Sequence, residues 1–271
     1  MSESLRISET HGILRITIDR QSRMNAIDLE TMSELGDTII GAETRPEVRV
    51  IVLTGAGKSF CTGADLAAAA AAGGNEASPE VVMDRANDVV RAIVDSPVPV
   101  IAHVNGPAAG VGTSLALAAD LIYAVDTAYL LLPFTSIGLM PDGGSSAIVA
   151  ASMGRARAAE LALLGARLPA TEAAAAGLIT RALPAEHLTD QVDAVAAQLA
   201  AGPRRALQLT KAAINAATLA QLDHALAREK TGQVELLTSA DFYEGMTAML
   251  THRAPHFDGA ARPITDPAQE A

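Results

Sequence analysis

Two turns made of small residues contain groups that could do chemistry. The first runs Ser59-Phe60-Cys61-Thr62-Gly63-Ala64-Asp65-Leu66 and the second Asn105-Gly106-Pro107-Ala108-Ala109-Gly110-Val111-Gly112. Turns of this kind leave backbone N–H groups unpaired and able to point into a crevice. Two such donors facing one carbonyl oxygen form an oxyanion hole, which stabilises negative charge on that oxygen. Taken singly, each segment is equally compatible with an ordinary tight turn, because neither matches a dinucleotide or phosphate-loop fingerprint.

Patterns typical of strands and helices alternate around the two turns. One segment alternates apolar and polar residues, and three others are continuously apolar, as in strands buried on both faces. The predicted strands are Ile13–Ile18, Val50–Thr54, a segment led by Val98 that ends at Asn105-Gly106, and Leu121–Ala124. The predicted helices run from an Asp28 N-cap to about Ala42, over Pro79–Val94 and over Ala108–Ala119. This alternation predicts an α/β fold with a parallel sheet wrapped by helices, and ligands bind such sheets at the carboxyl ends of the strands.

The second half of the chain is mainly helical in pattern. Helical periodicity dominates from about Gly143 to His252, with one strand-like break at Leu178–Ala182. The alanine-rich segment Ala67–Ala72, followed by Gly73-Gly74-Asn75, is predicted to be a short helix or a loop. The tail from Pro255 is predicted to be irregular because it is rich in Pro, Gly and Asp.

Composition and charge limit the class of protein. The 271 residues are 49% hydrophobic and 19% charged, which allows a large core and excludes wholesale disorder. A net charge of −11 argues against a nucleic-acid or anionic-membrane partner, although local cations and backbone N–H groups can still bind an anionic small ligand. Cys61 is the single cysteine, so no intrachain disulfide can form. With no signal-peptide pattern and no apolar run long enough to span a membrane, we expect a cytoplasmic protein.

Six motifs occur in an order that resembles the crotonase (enoyl-CoA hydratase/isomerase) superfamily. They are Arg23-Met24-Asn25-Ala26, Phe60–Leu66, Asn105–Gly112, Ile137–Gly144, Ala175–Ile179, and Glu244–Met246 with Arg253–Phe257. Together they span nearly the whole chain. The resemblance implies a crotonase-like ββα spiral with the acyl-CoA site in residues 1–200, and a C-terminal helical trimerisation region in residues 201–271. It further implies a homotrimer or dimer of trimers that acts on an acyl-CoA thioester.

The resemblance also implies roles for individual residues. The oxyanion-hole N–H donors correspond to Ala64 and Val111. Arg23 resembles the basic residue that meets the CoA phosphates. The backbone around Ala26, Thr62 and Leu66 resembles the cradle for adenine and pantetheine. No cofactor beyond the CoA moiety of the substrate is expected, and the sequence shows no cluster with metal-ligand spacing.

The sequence departs from the hydratase pattern at both catalytic carboxylates. Hydration in this superfamily uses two glutamates, and the corresponding positions are Ser114 and Phe134. Neither can act as a carboxylate base, so the hydratase mechanism does not carry over. Asp142, between Pro141 and Gly143-Gly144, corresponds to the step where some isomerases of the superfamily have a catalytic carboxylate. Pro-Asp-Gly before a helix also fits a turn with an aspartate N-cap, so Asp142 is either a base or only a cap.

Three functions remain open from the sequence. The leading hypothesis is an enoyl-CoA isomerase with Asp142 as base. The second is a hydratase of weak or atypical activity, with water held by Ser114. The third is a non-catalytic acyl-CoA-binding protein. Two other polar residues are given structural interpretations: Asp65 supports its turn, and His103 is a core histidine with its hydrogen bonds satisfied.

Overall fold

The computed structural model describes residues 4–71 and 77–258. The strands are β1 (Leu5–Thr10), β2 (Ile13–Ile18), β3 (Val50–Gly55), β4 (Val100–Val104), β5 (Ala108–Ala109), β6 (Leu121–Val125), β7 (Tyr129–Leu131), β8 (Leu168–Pro169) and β9 (Arg181–Leu183). The helices of the first half are α1 (Leu29–Gly41), α2 (Leu66–Ala71), α3 (Pro79–Asp95) and α4 (Val111–Leu117). Those of the second half are α5 (Ser145–Leu164), α6 (Ala170–Ala175), α7 (Ala185–Ala200), α8 (Arg204–Thr218), α9 (Leu222–Leu236) and α10 (Ala240–Leu250).

A six-stranded sheet forms the centre of the molecule, with strand order β1-β2-β3-β4-β6-β9. Only β1 is antiparallel to its neighbour, and the other pairs are parallel. A smaller sheet has the order β5-β7-β8. The central strand β3 is buried along its whole length, which explains its continuously apolar sequence. The parallel arrangement places the turns that follow β3 and β4 at the same edge of the sheet.

Most predicted elements are confirmed, with differences at the turns. The helix predicted over Ala108–Ala119 begins only at Val111, because Ala108-Ala109 pairs with β7 as a short strand. Strand β1 was not predicted, since its alternation is limited to Leu5 and Ile7 and only Leu5 is buried. The alanine-rich segment forms α2, but residues 72–76 lie outside the described part of the chain. Residues 255–258 are irregular as predicted, and the rest of the tail lies outside the described part of the chain.

The C-terminal helices pack onto the same core as the sheet. Helix α9 contacts α3 and α5, and α7 covers β3, β4 and β6. Helix α8 is fixed to the core by Lys211, whose Nζ donates to the Ile93 carbonyl at 2.8 Å and lies 2.9 Å from Asp120 Oδ2. The division of the chain at residue 200 stays a prediction. Within the described residues, no helix has the length and apolar composition needed to cross a bilayer.

The ion pair between buried Lys211 and partly exposed Asp120 predicts a stability effect. Replacing Lys211 by Met should lower the free energy of unfolding by about 1 to 3 kcal/mol, because Asp120 loses its counter-charge and solvent compensates only in part. The double variant Lys211→Met/Asp120→Asn should recover part of this loss. Urea unfolding measures both, and Lys58→Met, at an exposed lysine, is the control. An equal loss in the Lys58 variant would contradict the assignment.

Candidate active site

The first turn is fixed by the buried side chain of Asn25. Its Nδ2 donates to the carbonyls of Ala56 at 2.8 Å and Ser59 at 2.7 Å. Its Oδ1 accepts from the N–H of Arg20 at 3.0 Å. A buried amide bonded at both ends holds the chain after β3 in one conformation. The motif Arg23–Ala26 therefore also shapes the turn beside which it lies.

The backbone N–H of Ala64 is left unpaired within this turn. The N–H of Ile27 donates to Gly63 O at 2.8 Å, and the N–H of Asp65 donates to Ile27 O at 2.9 Å, so hydrogen bonds flank Ala64 on both sides. No residue in the described ranges 4–71 and 77–258 accepts from Ala64 N–H. Ala64 is also solvent-exposed. This N–H is therefore available to a ligand.

The second predicted donor, Val111, is the first residue of α4. The N–H groups of a first helical turn have no partner inside the helix, and no described residue accepts from Val111 N–H. The N-cap, Gly110, has φ 54° and ψ −134°, a backbone conformation that favours glycine. Its own N–H donates to Leu131 O at 2.9 Å. The N–H of Gly110 is thus hydrogen-bonded within the protein, whereas the N–H of Val111 is not.

The two turns are in direct backbone contact. The N–H of Ala109 donates to Cys61 O at 3.0 Å. A Cβ atom at Gly110 would lie 3.7 Å from the Cα of Gly63, the residue before Ala64. A Cβ atom at Gly112 would lie 2.2 Å from Cys61 O, which no side chain could tolerate. Gly63 and Gly110, the residues that precede the two unpaired amides, are therefore in contact. This contact brings the predicted oxyanion donors, Ala64 and Val111, into the same region.

The carboxyl group of Asp142 is buried, and only one of its oxygens is bonded. Oδ2 accepts from Nε2 of Gln233 at 2.8 Å. Oδ1 has no hydrogen-bond partner among the described residues. The pKa of Asp142 is raised to about 7: burial is the largest cause, the hydrogen bond from Gln233 opposes it, and the nearby carboxyl of Glu229 adds to it. Near neutral pH this group can therefore both take up and release a proton.

The interpretation of Asp142 as a helix cap is wrong. The N-cap of α5 is Gly144, with φ 75°. Glycine has no side chain that could accept a hydrogen bond from the first turn of the helix. The free N–H groups of α5 are instead satisfied by a residue of α9: Gly144 N–H donates to Glu229 Oε2 at 2.6 Å and Ser146 N–H to Oε1 at 3.0 Å. The side chain of Asp142 is not engaged in capping and is left to contact Gln233.

Ser114 ties the loop of Asp142 to the helix of the second turn. Its hydroxyl is fully buried and donates to the backbone carbonyl of Asp142 at 2.8 Å. A Cβ atom at Gly143 would lie 2.7 Å from Cβ of Ser114, so the loop is in close contact with α4. Because Ser114 lies one turn after Val111, this contact couples the candidate base to a candidate oxyanion donor. The hydrogen of the Ser114 hydroxyl is therefore engaged by the protein backbone.

Phe134 occupies the second position where hydratases have a glutamate. It is buried, and its Cζ would lie 4.0 Å from a Cβ atom at Gly110. The ring therefore lies beside the second turn. Phe134 makes this wall of the site apolar where a carboxylate would have made it polar.

The four residues predicted to bind CoA lie together around the first turn. Arg23 ends a short 3₁₀ helix and is half exposed, with its Nε 4.0 Å from Asp65 Oδ2. Thr62 Oγ1 donates to Met24 O at 3.1 Å. Ala26 O accepts from Arg20 Nη1 at 2.5 Å, and Leu66 begins α2. Arg23 is thus a partly exposed cation at the rim of the turn, and its guanidinium can bind a further anionic group.

Asp65 has the structural role predicted for it. Its Oδ1 accepts from the N–H of Ala68 at 3.0 Å, and its Oδ2 lies 3.1 Å from Nη2 of Arg20. The same guanidinium lies 2.8 Å from Asp28. Arg20 therefore organises the corner between the turn and α1, a role that its sequence position did not indicate.

The interpretation of His103 as a satisfied core histidine is wrong in one respect. The ring is buried in β4 as predicted, but Nδ1 has no partner among the described residues. Burial, with the nearby charge of Arg15, lowers the pKa of His103 to about 4, so the ring is neutral at neutral pH. It lines a cavity of about 490 Å³, with Arg15 and Asp193, between the sheet and α7.

Two site residues, Glu229 and Gln233, were not found from the sequence. Both are fully or almost fully buried on α9. They lie one helical turn apart on the face that also buries Leu222, Ala225 and Leu226. Polar residues at core positions of an amphipathic helix are a signal that they meet buried polar groups. That signal was present in the sequence.

The chain matches the family model described as enoyl-CoA hydratase/isomerase over residues 8–260. It belongs to that family. The crotonase-type resemblance and α/β fold predicted from the sequence are confirmed, and the protein is an acyl-CoA-processing enzyme of this family.

Named relatives of the family cover almost all of the chain. A probable enoyl-CoA hydratase of Rhodobacter capsulatus is 42% identical, over 94% of this chain and 98% of its own. The 1,2-epoxyphenylacetyl-CoA isomerase of Escherichia coli is 37% identical, over 92% and 95%. The crystal structure of an enoyl-CoA hydratase from Mycobacterium avium subsp. paratuberculosis has a TM-score of 0.87 and 45% identity, covering 94% of this chain and 98% of that one. The names of these relatives include both hydratase and isomerase.

The contact between the two turns predicts the effect of Gly112→Ala. The new methyl group would meet Cys61 O and push the turns apart, which moves Val111 N–H away from Ala64 N–H. Loss of one oxyanion donor costs about 100- to 1000-fold in rate. Difference infrared spectroscopy of a bound ¹³C-labelled thioester should show weaker carbonyl polarisation than in the native protein. Gly41→Ala, where a Cβ atom meets nothing within 4 Å, is the control, and an unchanged spectrum in the Gly112 variant would contradict the assignment.

The raised pKa of Asp142 predicts a pH-dependent cost in stability. Between pH 4 and 7 the folded protein holds a proton on Asp142 that the unfolded chain has released, so this group's contribution to stability falls as pH rises through 7. At pH 8, Asp142→Asn should therefore be more stable than the native protein, by up to about 4 kcal/mol. At pH 4 the difference should vanish. Urea unfolding at both pH values measures it, with Asp37→Asn on the exposed face of α1 as the control. A difference independent of pH would overturn the assignment.

Proposed function

We propose that this protein is an enoyl-CoA isomerase in which Asp142 is the base and the N–H groups of Ala64 and Val111 bind the thioester oxygen. The observation that supports the proposal most is Oδ1 of Asp142, a buried carboxyl oxygen without a hydrogen-bond partner among the described residues. Buried polar atoms are normally bonded. An exception in a loop that contacts the helix of the second turn fits an oxygen that exchanges a proton with substrate.

The reaction needs one base and one oxyanion hole. Asp142 removes a proton from C2 of a 3-enoyl-CoA, and the electron pair of that C–H bond forms the C1–C2 double bond of a dienolate. The negative charge develops on the thioester oxygen, where the two amides stabilise it. The protonated Asp142 then returns the proton to C4, which leaves the double bond between C2 and C3. One carboxyl group is enough because the same proton leaves and returns.

The electrostatics of Asp142 suit this reaction. A general base works best when its pKa is near the working pH. Burial raises the pKa of Asp142 to about 7, several units above an ordinary aspartate. The rate of isomerisation should therefore rise with pH through about 7, as the carboxyl ionises.

Hydration is the alternative that the names of two relatives favour. It needs a water held by polar groups and a proton donor. The Ser114 hydroxyl is bonded to the backbone, and Phe134 is apolar. These side chains favour isomerisation over hydration.

The proposal extends to the ligand and the assembly. Arg23 would meet the CoA phosphates, and Ala26, Thr62 and Leu66 would border the adenine and pantetheine, with no cofactor beyond the CoA of the substrate. A homotrimer or dimer of trimers is proposed from the resemblance. Exposed apolar side chains on the second-half helices, such as Leu163, Leu164 and Ile214, supply surface for subunit contacts. A cytoplasmic location stays a prediction.

A substrate panel tests the proposal. The 3-enoyl-, 2-enoyl- and aryl-CoA thioesters are incubated with the native protein, Asp142→Asn and Asp37→Asn, and products are identified by mass spectrometry and NMR. Asp142→Asn should lose about 100- to 10,000-fold in isomerisation rate, because the base is removed. Its affinity for a saturated acyl-CoA should stay within about 2-fold of native, and Asp37→Asn should retain full activity.

Other outcomes separate the alternatives. Full isomerase activity in Asp142→Asn would refute the assignment of the base. Hydration of 2-enoyl-CoAs without isomerisation would favour the atypical hydratase. Tight acyl-CoA binding with no turnover of any thioester would identify a binding protein.

A further inference from the structure

Gln233 is fixed in a single orientation between two groups of the loop that contains Asp142. Its Oε1 accepts from the backbone N–H of Met140 at 3.3 Å, and its Nε2 donates to Oδ2 of Asp142 at 2.8 Å. A backbone N–H can only donate, so the amide oxygen of Gln233 must face Met140. The NH₂ group must then face Asp142. The side chain is fully buried, so water does not compete for either bond.

We infer that Gln233 is a positioning residue that holds Oδ2 of Asp142 and thereby makes Oδ1 the oxygen that takes the substrate proton. The inference rests on the proposed function for the identity of that proton. It adds that the two oxygens of the Asp142 carboxyl group have different roles. One oxygen is anchored by α9, and the other is left without a protein partner.

Glu229 contributes to the same arrangement from the preceding turn of α9. Both of its carboxyl oxygens accept N–H groups at the start of α5, from Gly144 and Ser146. These bonds fix α9 relative to the loop of Asp142. The groups that face Asp142 are then the amide of Gln233 and the acidic side chain of Glu229, with no cation among the groups that shift its pKa. The hydrogen bond from Gln233 is the only one of these influences that favours the ionised base.

Two substitutions test the role of Gln233. Gln233→Met keeps the size and removes both hydrogen bonds. Gln233→Glu keeps an acceptor for Met140 N–H but places a second carboxyl group against Asp142, so the two carboxyls titrate as a pair. The rising limb of the pH–rate profile should move to higher pH in both variants. In Gln233→Met the shift should be about one unit, because the ionised base loses its donor. In Gln233→Glu it should be larger, because two adjacent carboxylates repel each other. The rate on the alkaline plateau should fall about 10-fold or more, because the carboxyl is no longer oriented.

Asn87→Leu is the matched control. Asn87 Nδ2 donates to Leu226 O and so joins α3 to α9 without touching Asp142. Its pH–rate profile should keep the native limb. A shift in both Gln233 variants and none in the Asn87 variant supports the inference. A rate loss that is equal at every pH, with the limb in place, would show that Gln233 only supports the fold and would overturn it.

A measurement without turnover separates this inference from the proposed function. The carboxyl carbon of ¹³C-labelled Asp142 is titrated by NMR in the native protein and both Gln233 variants. If the native protein isomerises nothing but the titration midpoint rises in the variants, the proposed reaction fails and the hold of Gln233 on Asp142 stands. If the midpoint does not move, the inference fails, whatever the enzyme's activity.

Discussion

The close backbone approach of the two turns is the constraint on which the rest of the site depends. Cys61 O lies where a side chain at residue 112 would begin, so only glycine allows α4 to start against the first turn. Hydrogen bonds between the two turns and with neighbouring segments engage the N–H groups of Asp65, Ala109 and Gly110, whereas those of Ala64 and Val111 have no acceptor among the described residues. The packing of the two turns thus leaves two N–H groups without a partner. In the proposed oxyanion hole these donors would be preorganised, because the backbone around them is fixed.

The candidate base is held by a different part of the chain. Its loop is fixed from one side by Ser114 of α4 and from the other by Glu229 and Gln233 of α9. Burying two acidic side chains together is unfavourable, and burial raises the pKa of both. Carboxyl groups whose pKa is shifted by burial cluster at functional sites, which agrees with the proposed role of Asp142 as a base. If it has that role, stability and reactivity oppose each other at this residue.

Local sequence patterns predicted the strands and helices. The candidate oxyanion-hole donors, Ala64 and Val111, came from the resemblance to the crotonase superfamily. Strand Ile13–Ile18 was predicted with the bounds it has, because one face is buried and the other is not. The start of α4 was placed three residues early, since the short pairing of Ala108-Ala109 with β7 depends on a strand that is distant in sequence. Alternation also failed for β1, where only Leu5 faces the core.

The burial of Gln233 and Glu229 could be predicted from their place on α9, but their pairing with the loop of Asp142 could not. Both residues lie far along the chain from their partners. Gln233 is 91 residues after Asp142, and Glu229 is 85 residues after Gly144. Nothing local distinguishes them from other polar residues except their place on the buried face of α9. The expectation that His103 is satisfied failed for a related reason, because burial was predictable and the missing partner of Nδ1 was not.

The reach of α9 back to the loop of Asp142 has a consequence for the order in which the protein matures. A chain is synthesised from its N-terminus, and its early segments can fold before the later ones emerge. Both turns lie before residue 113, whereas Asp142 gains its amide partner only once residue 233 has left the ribosome. The contact between the turns can therefore form early in translation, and the side chain of Asp142 is fixed in place only later.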